Sequence, residues 1–136
     1  MKQNFWQLSR IGKQYAFSAA HSLPKVPDGH PCKRIHGHNY IVEVEIRNEI
    51  SPVDGFCGNI DFYKVDEGMK PLLEKLDHRY LNDIDGLENP TAELIADWIL
   101  KNFSPAILYS VKVWETPKCW AMVINSDGYF QKVHRE

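Results

Sequence analysis

Between Gln14 and Ala20 the chain alternates: Tyr15, Phe17 and Ala19 fall on one side, Gln14, Ala16 and Ser18 on the other. A period of two marks a half-buried strand. We expect one from Trp6 to Ala20, with His21 next on its apolar side. The alternation from His36 to about Asn48 is clearer still. Tyr40, Val42, Val44 and Ile46 share one face with His36 and His38, while Asn39, Glu43, Glu45 and Arg47 share the other. A face carrying Glu43, Glu45 and Arg47 is expected to be wet, as in a sheet with helices on one side and solvent or a water-filled channel on the other.

Downstream the period changes. Phe62, Val65, Met69, Leu72, Leu73 and Leu76 recur at helical spacing, predicting a helix from near Phe62 with Asp61 as N-cap and a kink or break at Pro71. A second helix is expected to start at Asn89-Pro90, with Asn as N-cap, and to run to about Phe103 on a stripe of Leu94, Ile95, Trp98 and Ile99. Two strands follow, about Ala106 to Glu115 and Cys119 to Asn125, joined by Thr116-Pro117-Lys118. Three prolines and Pro-Asp-Gly make Leu23 to Pro31 an ordered loop, and Asp77 to Gly86 is a loop dense in polar side chains. The order strand, strand, helix, helix, strand, strand uses the whole chain and predicts one α+β domain over residues 1–136.

Composition narrows the functions. At 136 residues the chain can bury a core as one unit. With 16 basic and 18 acidic residues and a net charge of −2, it carries no electrostatic footprint for nucleic acid or an anionic membrane surface. Cysteines at 32, 57 and 119 are odd in number and no signal-like segment opens the chain, so a cytoplasmic protein is expected. No apolar run reaches the roughly 20 residues of a membrane helix.

The chemistry concentrates at Cys32-Lys33-Arg34-Ile35-His36-Gly37-His38. In a strand His36 and His38 project to one side. Two imidazoles suit zinc, which in catalytic sites takes three protein ligands and keeps a fourth position open. His21, on an apolar face near the end of the neighbouring strand, supplies a third. Cys32 stays open between a further ligand, an acid or base beside the metal, and a plain structural thiol. Glu115 ends the apolar stripe of Tyr109, Val111 and Val113, where an unpartnered carboxylate costs on the order of several kcal/mol to bury. It therefore calls for a partner or ligand, unless it is a strand-end surface residue. Asp77-His78 is either a helix terminus whose dipole favours histidine or a functional pair. His30 and His134 read as surface residues, Cys57 and Cys119 as ordinary thiols, and Lys25, Lys33 and Arg34 as solvated or phosphate-facing cations.

Phe17-Ser18-Ala19-Ala20-His21, Cys32 to His38, Ile60-Asp61-Phe62, Leu76-Asp77-His78, Asn89-Pro90-Thr91-Ala92-Glu93 and Glu115-Thr116 occur in this order. Together they resemble the 6-pyruvoyl-tetrahydropterin synthase family over nearly the whole chain. The three residues between Cys32 and His36, and Leu76 to Ile84, resemble its bacterial carboxy-pterin-forming branch, which serves queuosine and 7-deazapurine synthesis. The Cys57-Gly58-Asn59 and Trp120-Ala121 segments vary in the family. The resemblance implies the tunnelling fold: a four-stranded antiparallel sheet with two helices on one face, several subunits closing into a barrel as a hexamer (a dimer of trimers) or a tetramer. It implies Zn2+ on His21, His36 and His38, Cys32 as catalytic base or proton donor, Asp77 and His78 as its relay, and Glu115 with Thr116 at the pterin. The implied activity is a carbon-carbon lyase on 7,8-dihydroneopterin triphosphate, releasing triphosphate and acetaldehyde and leaving 6-carboxy-5,6,7,8-tetrahydropterin. The alternatives are the pyruvoyl-forming synthase and a non-catalytic zinc or pterin-binding protein, in which Cys32 closes a four-ligand site.

Overall fold

The computed structural model of the protein describes residues 7–125, so Trp6 and His134 lie outside the described residues. Four strands form one antiparallel sheet in sequential order: β1 (Leu8–His21), β2 (His36–Glu49), β3 (Ser110–Thr116) and β4 (Cys119–Ile124). Helices α1 (Phe62–Leu76) and α2 (Ala92–Asn102) cover one face, α1 against β1 and α2 against β3 and β4. The sheet of one chain is open. The core lies between sheet and helices, where Phe17, Tyr40, Val42, Val44, Val111 and Val113 meet Val65, Met69, Leu72, Leu76, Ile95 and Ile99.

Asp61 caps α1 as expected, its side chain accepting from the Lys64 N–H at 2.9 Å. Pro71 does not break the helix. It lies on the exposed side, one turn after exposed Glu67, so the carbonyl it leaves without a donor faces water. Two stripe assignments fail: Phe62 is 51% and Leu94 42% exposed, and Ala96 takes the buried place in α2. That helix also starts later than the Asn-Pro signal suggests. Thr91 is its N-cap, accepting from the Leu94 N–H at 3.1 Å, while Asn89 and Pro90 form a turn closed by the Thr91 N–H on the Asn89 carbonyl. The third strand begins at Ser110 rather than Ala106.

On the uncovered face the expected wet stripe holds only in part. Glu45 is buried, because the Arg10 guanidinium and the Ser110 hydroxyl both donate to its carboxylate. The rest of that face carries exposed Trp120, Met122 and Ile124.

Gly68 shows how tightly α1 is seated. A Cβ there would overlap the Phe103 ring and sit 2.6 Å from the Ser104 carbonyl oxygen. Alanine ordinarily favours a helix over glycine by about 1 kcal/mol. Overpacking of about 1–3 kcal/mol outweighs that gain, so Gly68→Ala is expected to lower the urea midpoint; an unchanged or raised midpoint would show the Phe103 contact to be soft.

Candidate active site

The final rung of the β1–β2 ladder pairs His21 with His36, and two residues back Ala19 faces His38. This register places the three imidazoles on the helix-covered face at one end of the sheet, and the small Ala19 side chain leaves His38 room. Their ring centroids lie 4.5, 5.1 and 5.0 Å apart. One nitrogen from each lies within 4.8 Å of the others.

Hydrogen bonding fixes what those nitrogens present. His21 Nδ1 is 2.8 Å from the Pro90 carbonyl and His36 Nδ1 is 2.7 Å from the Arg34 carbonyl. A carbonyl only accepts, so both Nδ1 atoms carry the proton and, in the neutral rings, both Nε2 atoms carry lone pairs. Those two Nε2 atoms are 2.9 Å apart. His38 Nε2 is buried with no hydrogen-bond partner. Two facing lone pairs and an orphaned third nitrogen are an unfavourable arrangement that a cation among them would relieve. Burial also holds His21 and His38 below the ordinary histidine range, keeping the rings in the unprotonated form a metal requires. The residues present therefore fit a metal ion, and backbone carbonyls orient two of the rings as outer partners of a metal-binding histidine do.

Glu115 stands beside this centre. A β-bulge between Trp114 and Thr116 interrupts the β3–β4 register at this residue, and its Oε2 is 3.9 Å from His21 Nε2. Neighbouring Thr116 is exposed, its hydroxyl accepting from the Lys118 N–H at 3.3 Å.

Asp77 and His78 lie where α1 ends. The chain turns out of the helix through His78 at φ 60° and then runs alongside β1, with the His78 N–H on the Ser18 carbonyl and the Ala20 N–H on the Arg79 carbonyl. The Asp77 carboxylate accepts from the Ser18 N–H at 2.9 Å, and its other oxygen is 2.9 Å from His78 Nδ1. This is a helix terminus and an oriented imidazole at once. His78 and His38 both line a groove of about 570 Å3, together with Asn39, Arg79 and Tyr80.

The hydrogen bonds from Ser18 and His78 hold the Asp77 carboxyl below the usual carboxylate range. A carboxylate depressed in the folded state stabilises fully above its unfolded value of about 3.9 and loses that contribution as pH falls through the lower folded value. Protection of the Ser18 N–H, the slowing of its exchange relative to an unprotected amide at the same pH, is therefore expected to fall only below about pH 4, and Asp77→Asn should remove that acid-side step. A step persisting in the variant would assign it elsewhere.

Cys32 sits apart in a short 3-10 turn, Pro31–Lys33. His30 accepts the Cys32 N–H through Nδ1 at 3.1 Å, and the Leu23 N–H donates to the Cys32 carbonyl at 2.8 Å. Among the described residues only the three histidines gather as a metal-capable group, without the Cys32 thiol. Lys33 is engaged within its own loop, 2.9 Å from Asp28 and donating to the Val26 carbonyl at 3.1 Å. Lys25 and Arg34 are exposed, as is Cys119, whereas Cys57 is buried.

Sequence reasoning missed the residues that act through backbone. Pro90 and Arg34 contribute carbonyls, for which no side-chain pattern exists. His30 is exposed, as expected, but also caps the turn that carries Cys32, and its place one residue before a proline is the one sequence signal of that role.

Comparison with known proteins places these features in context. The family model described as 6-pyruvoyl tetrahydropterin synthase matches residues 10–125. The chain is 40% identical over 112 residues to 6-carboxy-5,6,7,8-tetrahydropterin synthase of Synechocystis sp., covering 78% of this chain and 85% of that one. It is 33% identical over 105 residues to dihydroneopterin monophosphate aldolase of Pyrococcus furiosus, covering 77% and 83%. The solved structure of Caenorhabditis elegans 6-pyruvoyl tetrahydropterin synthase superimposes with a TM-score of 0.80 at 28% identity, over 90% of this chain and 99% of that one.

Proposed function

The chain belongs to the 6-pyruvoyl tetrahydropterin synthase family, and we propose that it is the zinc-dependent lyase that converts 7,8-dihydroneopterin triphosphate and water to 6-carboxy-5,6,7,8-tetrahydropterin, acetaldehyde and triphosphate, within queuosine and 7-deazapurine synthesis. The observation that carries the reading is the set of three gathered imidazoles, two of them with facing lone pairs, and Glu115 at 3.9 Å from one of them. The 40% identity to a carboxy-pterin synthase favours this product over the pyruvoyl one.

His21, His36 and His38 would hold the ion, and a three-nitrogen donor set is well suited to zinc. Bound there, zinc would supply Lewis-acid polarisation of the substrate's side chain. Glu115 accepts hydrogen bonds from a ring N–H and the adjacent amino group of the pterin, one on each oxygen, with Thr116 beside it. Cys32 and His78 transfer protons between ring and side chain, and Asp77 keeps His78 in one orientation.

Assembly completes the site. In one chain the Cys32 thiol does not gather with the three histidines, and the sheet is open. Several copies closing their sheets into a barrel would cover the exposed Trp120, Met122 and Ile124 and bring proton-transfer groups of one copy to the histidines of another.

The test is to incubate the zinc-loaded protein with 7,8-dihydroneopterin triphosphate and measure acetaldehyde and the pterin by mass. Acetaldehyde equal to 6-carboxy-tetrahydropterin is expected. A pyruvoyl-pterin without acetaldehyde, or cleavage of the monophosphate alone, would move the protein to another branch of the family.

A further inference from the structure

Tyr40 carries the most anomalous polar atom outside the histidines. Its side chain is fully buried, its ring stacked on Phe17 at 4.8 Å and edge-on to His38 at 5.4 Å and His21 at 5.9 Å. Its hydroxyl has no hydrogen-bond partner. A buried O–H left without an acceptor costs free energy that phenylalanine, of nearly the same shape, would avoid. The hydroxyl therefore calls for an acceptor that takes up its position only in another state of the site.

The register points to that acceptor. Ile41 pairs with Trp114 and Val42 with Val113, and Tyr40 and Glu115 are the next residues beyond the last of these pairs, which the same register, continued one step, would set opposite each other on the histidine-bearing face. Side chains directly opposite across an antiparallel pair lie within contact distance. Glu115 now leans to His21 at 3.9 Å, too long for a hydrogen bond. His21 Nε2 carries a lone pair, its ring proton being on Nδ1 against the Pro90 carbonyl, so it offers Glu115 no proton and leaves the carboxylate free to turn.

We propose that Tyr40 is a positioning residue for Glu115, its hydroxyl donating to the carboxylate when that carboxylate receives the pterin. A carboxylate has about four lone-pair sites. The pterin's two N–H donors take one on each oxygen, and the Tyr40 O–H takes a third, fixing the plane in which Glu115 meets the ring. This rests on the reading of Glu115 as the pterin anchor.

The experiment is a double-mutant cycle on the zinc-loaded protein, with neopterin binding followed by fluorescence quenching and turnover by steady-state kinetics. Tyr40→Phe is expected to weaken neopterin binding about tenfold, as befits a lost hydrogen bond to a charged group. It should raise KM with a smaller change in kcat, retain zinc, and leave the melting temperature unchanged or higher. In a Glu115→Ala background the same change should cost nothing further, because the residue it acts through is gone. Weak binding by Glu115→Ala with wild-type binding by Tyr40→Phe would overturn the Tyr40 assignment alone. Additive losses would also overturn it, as would an effect confined to thermal stability. Wild-type binding by Glu115→Ala would overturn the anchor reading and the Tyr40 proposal with it.

Discussion

His36→Ala is expected to strip the protein of its metal. Removing an outer partner of a metal-binding histidine typically costs about 10–100-fold in affinity, and removing a ligand from a three-nitrogen set should cost more than about 100-fold. Turnover should fall with occupancy, which competition against a chromophoric chelator measures. The metal-free fold should persist. His36 is half-buried at the end of the sheet, and its Nε2 faces that of His21 at 2.9 Å, so the truncation relieves a repulsion as well as removing contacts. Metal affinity equal to that of the unaltered protein would mean that the three rings form a polar cluster and nothing more.

Cys32→Ala should separate metal from activity. If the thiol moves protons and does not bind the ion, zinc content stays at one per chain while turnover falls by about 10²–10⁴, the usual worth of a general acid or base. The turn that carries Cys32 is held by His30 and by the Leu23 N–H on its carbonyl, contacts that alanine leaves in place. A variant that loses zinc and stability together would identify Cys32 as a fourth ligand. Zinc analysis, melting temperature and single-turnover kinetics on one preparation separate the two.

Strands β1 and β2 were legible because each keeps a strict period of two over many residues, with helices on one side of the sheet only. The same period put His21, His36 and His38 on one face, and their meeting follows from the rung that pairs His21 with His36. Boundaries set by backbone partners were not legible. The start of α2 moved from Asn89 to Thr91, since the turn at Asn89 and Pro90 hands the Pro90 carbonyl to His21. Glu45 looked solvated until β3 and β1 brought Ser110 and Arg10 to it, a pairing between segments too distant in sequence for any local pattern. Glu115 was legible as an anomaly, a carboxylate ending an apolar stripe. Its neighbour Tyr40 was not, because a tyrosine in such a stripe reads as core.

The proposed metal is held by three imidazoles with a position left for substrate, and X-ray absorption at the zinc edge on the loaded protein reads its ligands. We expect only nitrogen and oxygen scatterers in the first shell, near 2.0–2.1 Å, with a pterin ligand altering the fourth. A sulfur scatterer near 2.3 Å would place the Cys32 thiol on the metal and contradict the open site.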